Sequence, residues 1–164
     1  MTSLSRRRFP LLLAFAVPML AALSTQAQEN SQPADEAAAQ KWLPKAHDPL
    51  WTKLAACKVS YNRKGLYSID VTPEVKALNG QDVSVRGFIL PMDGSDRTKH
   101  FLITRNTPVC MFCPPGEPNE VIEVFSDKAI PWNEQLKTVS GRLRLIDDKE
   151  QALFFRIEAK AVKS

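Results

Sequence analysis

The sequence lacks most of the motifs of a hydrolase or a nucleotide-binding enzyme. Its two histidines, His47 and His100, form no His-Glu-x-x-His segment, and no Ser-His-Asp order is present. Six glycines never gather into a phosphate-cradling loop. The carboxylates are scattered through polar stretches, so no acid/base pair stands out. There is no internal repeat and no low-complexity run. Cysteine is scarce too: Cys57, Cys110 and Cys113 are the full set. An odd number leaves at least one thiol unpaired in a monomer, and no second Cys-x-x-Cys exists to complete a four-thiolate zinc site.

A basic excess is only apparent. The formal charge is +4 and the pI about 9.1. Arg6, Arg7 and Arg8, however, precede an apolar run from Leu11 to Leu23 and a small-residue stretch at Thr25-Gln26-Ala27. That order predicts a secretory signal over residues 1–27, and Ser5-Arg6-Arg7-Arg8-Phe9 fits the twin-arginine type as well as the general one. The apolar run is short for a membrane span and contains Pro18. Without that segment three of the 22 basic residues go and none of the 18 acids, leaving +1. Neither a nucleic-acid partner nor an anionic membrane is expected at that charge. The expected location is the periplasm, as a soluble protein, where thiols tend to pair or bind metal.

Residues 28–57 read as a polar lead-in that becomes partly helical. Leu50, Trp51 and Leu54 after Pro49 share one helical face, suited to covering the end of a domain. Thr72 and Pro73 predict one helical turn, as N-cap and first helical residue. Residues 58–164 are β in character. Five strands are predicted, over Gln81–Leu90, His100–Thr104, Glu120–Phe125, Thr138–Ile146 and Leu153–Ala161. The first is bent at Gly87, as at a barrel corner. In the fourth, Val139, Gly141, Leu143 and Leu145 point in, with Ser140, Arg142 and Arg144 out. In the fifth, Leu153, Phe155 and Ile157 alternate with Phe154, Arg156 and Glu158. The expected fold is all-β with a short helical N-terminal segment: a five-stranded, OB-like, part-open barrel. Pro131 leaves at most a short helix between strands three and four.

Chemistry concentrates at Cys110-Met111-Phe112-Cys113-Pro114-Pro115-Gly116. Three readings stay open for the Cys110/Cys113 pair. It supplies two thiolates to a transition metal, with His100 as a third ligand and Cys57, Glu117 or water as a fourth. Zinc is favoured. Copper is the second choice, since Met92, Met111 and His100 suit copper(I). Alternatively the pair is a structural disulfide, which in so small a ring contributes little loop-closure entropy. The third reading is a thiol–disulfide oxidoreductase, which wants its Cys-x-x-Cys at a helix start. Pro114, Pro115 and Pro118 leave little room for one. Cys57 reads as a small buried apolar residue. An exposed tryptophan among Trp42, Trp51 and Trp132 would mark a partner surface.

Three stretches together resemble a known family: residues 78–92, His100-Phe101-Leu102-Ile103, and residues 110–116 running into Val121-Ile122-Glu123-Val124. They are similar to the small exported bacterial proteins catalogued as a domain of unknown function (number thirty-two ninety-nine). The likeness spans about residues 61–163. It implies an exported, OB-like domain and, through neighbouring genes, an envelope transporter as partner. It implies no enzymatic activity.

Overall fold

The computed structural model describes residues 38–109 and 115–164. Residues 1–37, which include the expected signal segment, and residues 110–114, with both cysteines of the Cys-x-x-Cys, lie outside the described residues.

Helix α1 (Pro49–Ala55) starts where Pro49 is tolerated, with Asp48 as N-cap accepting from Leu50 N–H. Its buried face is Leu50, Trp51 and Leu54, as the spacing predicts. A polar hairpin follows, β1 (Lys58–Tyr61) and β2 (Tyr67–Asp70). Then comes α2 (Pro73–Ala77), capped by Thr72 Oγ1, which accepts from Val75 N–H. The remaining strands are β3 (Asp82–Pro91), β4 (Arg97–Thr104), β5 (Val121–Pro131), β6 (Lys137–Asp148) and β7 (Leu153–Lys163). They close a five-stranded barrel in the order β3-β4-β5-β7-β6, with β5 and β7 parallel.

Closure is complete, where the sequence suggested a part-open barrel. The reason is the length of β3. Asp82 to Gly87 pairs with β6, and Phe88 to Pro91 pairs with β4. The change of partner falls at Gly87. A Cβ there would lie 2.6 Å from the Thr104 carbonyl oxygen and 2.7 Å from Ile103 Cγ1. Only glycine lets the strands cross this closely.

Strand β5 runs on to Pro131, beyond the expected end at Phe125, and residues 132–136 join it to β6 without a helix, within the expectation of at most a short one. One other expectation is corrected. Phe154 does not face outward. Phe154 and Phe155 are both buried in the core, beside a register shift that puts an extra residue into β6 between Leu145 and Asp148. The core fills the barrel with Val85, Ile89, Phe101, Ile103, Ile122, Val124, Leu143 and Ile157, and continues into the buried face of α1. Trp51 Nε1 donates to the Arg86 carbonyl (2.8 Å), fastening α1 beside the β3 bend. Among the described residues no helix is long and apolar enough to cross a membrane.

Candidate functional site

The cysteine segment connects β4 to β5, so its base is built from the ends of those strands. Glu120 ties that base together. Its Oε1 accepts from Arg105 Nη1 (3.1 Å), and its Oε2 accepts from Asn106 Nδ2 (2.8 Å) and Glu117 N–H (3.3 Å). Asn106 Nδ2 also donates to the Pro115 carbonyl (3.2 Å), joining the incoming and outgoing ends of the segment. Asn106 is buried. Its Oδ1, like Arg105 Nε, has no partner among the described residues.

Gly116 completes the closure. Its φ is +115°, and a Cβ there would meet Asn106 Nδ2 and Glu120 Oε2. Both conformation and space therefore require glycine at the end of the Cys-Pro-Pro-Gly run. The N-terminal segment braces the other side. Ala46 N–H donates to the Arg105 carbonyl (2.7 Å), Gln40 Nε2 to the Thr107 carbonyl (3.1 Å) and Thr107 Oγ1 to the Pro44 carbonyl (2.6 Å). Cys57 lies at this same end. Asn119 Nδ2 donates to its carbonyl (3.0 Å), and its thiol is free and buried. The 3₁₀ turn Pro118–Glu120 leads directly into β5.

His100 stands elsewhere. It is four residues back along β4 from Thr104, roughly 13 Å at about 3.3 Å per residue. It lies on the barrel's outer wall opposite Phe125 of β5. Its Nε2 bonds Glu123 Oε1 (2.8 Å), and Arg156 Nε of β7 donates to Glu123 Oε2 (2.7 Å). Glu123 is 4% exposed, a buried carboxylate with a partner on each oxygen. Phe125 stacks on the imidazole (centroids 4.2 Å apart, planes 10° apart), and the Arg156 guanidinium lies 5.1 Å from the Phe125 ring centre.

Among the described residues no three His, Cys, Asp or Glu side chains converge as a metal-holding group. Glu117 is exposed at the base of the segment, and His47 is exposed beside α1. Trp42 is 90% exposed, whereas Trp51 is buried and Trp132 donates to the Ile89 carbonyl (3.0 Å). Arg144 of the outer face pairs with Glu158 (3.5 Å).

Sequence reasoning missed Asn106, Glu120, Glu123 and Arg156. Glu123 did carry a signal: a lone carboxylate in Val121-Ile122-Glu123-Val124, a strand buried on both faces, needs partners. Asn106 carried none, because its role depends on what the chain brings back from Pro115 onward.

No curated protein matches the chain. A solved structure does: the crystal structure of a DUF3299 family protein from Pseudomonas aeruginosa PAO1, 21% identical, with 81% of each chain covered and a TM-score of 0.51. At that identity the likeness concerns the fold. The family model described as "Protein of unknown function (DUF3299)" matches residues 21–163, and the chain belongs to that family.

Proposed function

We propose that the chain is an exported, non-enzymatic accessory protein of the periplasm, whose Cys110/Cys113 segment takes a transition-metal ion, zinc first. The observation that carries this reading is the clamped base. Asn106, Glu120 and Gly116 hold the two ends of the Cys-x-x-Cys segment together at one end of a closed barrel. A fixed base shortens the loop that must close around an ion, which lowers the entropy lost when a metal engages both thiols.

Two thiolates leave zinc with open coordination positions. Such a site suits an ion that is held and then handed on, and an envelope transporter is the partner we favour. His100 is outside this ligand set in our reading, because it lies four residues back along β4 from Thr104, on the outer wall and roughly 13 Å from the base of the segment. The oxidoreductase reading has less support. Among the described residues, the helical piece that follows the segment is the three-residue turn Pro118–Glu120, too short to depress a thiol pKa as a thioredoxin helix does.

The test is native mass spectrometry of protein purified from the periplasm without reductant or chelator. A bound zinc ion with both thiols reduced, lost in C110S/C113S with the fold intact, is the expected result. A metal-free chain lighter by a pair of hydrogens would mark a disulfide and overturn the proposal.

A further inference from the structure

The outer wall carries a second pair of soft-metal donors, independent of the cysteine segment. The β3–β4 ladder pairs Pro91 with Phe101, and the bond from Met92 N–H to the His100 carbonyl (3.1 Å) extends it by one residue. Met92 thus sits directly opposite His100. Opposed residues on one sheet face have Cβ atoms about 5 Å apart, well within reach of a methionine's three rotatable bonds. Met92 is 40% exposed and takes no part in the core.

The imidazole is already arranged as a ligand. Glu123 accepts from Arg156 on one oxygen and meets His100 Nε2 on the other. A carboxylate at Nε2 favours the neutral tautomer that carries its proton there, which leaves the Nδ1 lone pair for a ligand. A carboxylate behind the remote ring nitrogen is the usual support of a metal-binding histidine. Phe125 stacks on the ring and limits its rotation.

We propose that Met92 Sδ and His100 Nδ1 together bind a soft monovalent ion, copper(I). A thioether with a neutral imidazole selects copper(I) over zinc.

The test titrates copper(I) anaerobically into the purified C110S/C113S protein against the chelator bicinchoninate, so the cysteine segment cannot contribute. Cys57 stays in every variant. One copper(I) per chain is expected, and M92L and H100Q should each weaken it about tenfold or more. M92L is a near-isosteric change of an exposed side chain, so its loss of binding is not unfolding. With methyl-labelled methionine, silver(I) as a redox-inert probe should shift the Met92 methyl resonance. Unchanged affinity in both variants, or an unmoved Met92 methyl at saturating silver, overturns the proposal. Neither outcome bears on zinc at Cys110 and Cys113.

Discussion

Replacing Asn106 by Ala and by Asp separates what its amide donates from what its volume fills. Asn106→Ala loses one neutral hydrogen bond, to the Pro115 carbonyl, and one to the Glu120 carboxylate. These contribute about 1 kcal/mol and about 1.5–3 kcal/mol respectively. The change also removes the unpartnered buried Oδ1 and recovers about 1 kcal/mol of its desolvation penalty. The net loss is about 2 kcal/mol.

Asn106→Asp keeps the shape and reverses the chemistry, setting one carboxylate 2.8 Å from another and facing a carbonyl. The repulsion is capped by protonation, at about 1.4 kcal/mol per pH unit. At pH 7, some three units above an ordinary carboxyl, the cap is about 4 kcal/mol. The folded-state pKa of the pair lies above its unfolded value. The penalty is therefore full at neutral pH and fades as pH falls toward 4, where a shared proton restores a hydrogen bond. Urea unfolding followed by tryptophan fluorescence at pH 7 and pH 4.5 reads both variants. An Asp variant as stable as the wild type at pH 7, or more stable than the Ala variant there, would mean that Asn106 Nδ2 does not donate to Glu120 and that the clamp is wrongly drawn.

Three further outcomes are expected. Gly87→Ala forces a methyl against the Thr104 carbonyl and Ile103, and thermal melting should show a loss of about 1–3 kcal/mol. Trp51→Phe removes the bond to the Arg86 carbonyl and should cost about 1–2 kcal/mol by chemical denaturation, whereas Trp42→Phe, on a fully exposed ring, should stay within about 0.5 kcal/mol. Lys160 holds the Asp82 carboxyl below its usual 3.8, chiefly through their hydrogen bond. The contribution of that pair is present above the ordinary carboxylate range and is lost as pH falls through the lowered value. Carboxyl NMR on Lys160→Met should show the Asp82 midpoint rising, and the stability difference from wild type should vanish at low pH.

The barrel was legible because its strands alternate cleanly. Val139, Leu143 and Ile157 declare an inner face, and Gly87 in the middle of β3 declares a bend. Thr72-Pro73 and Pro49 placed both helices, since capping is local chemistry. The β1–β2 hairpin escaped notice because no residue of either short strand is fully buried and only Tyr67 and Ile69 of β2 pack against the core. A Tyr61–Tyr67 ring pair and a Ser60–Ser68 hydrogen bond mark it instead. The outer-wall cluster was illegible for another reason. Alternation says which way a side chain points, not which strand lies beside it. His100, Glu123 and Arg156 meet only because β4 pairs with β5 and β5 pairs in parallel with β7. Met92 and His100 come opposite each other through register alone.

The parallel seam between β5 and β7 also bears on the timing of folding. Glu123 and Arg156 are 33 residues apart in the chain, and Asp82 must find Arg142 before the barrel shuts. Non-local pairings of this kind form late, on the scale of milliseconds to seconds. Until then the apolar run Val121-Ile122 is an open edge, and Cys110 and Cys113 have no fixed base beneath them. Under the export proposed above, a chain threaded across the membrane unfolded would meet periplasmic oxidants in that interval, and one carried across folded would arrive with the base already set. The order of closure and export would then select between a disulfide and a pair of free thiols at the same two residues.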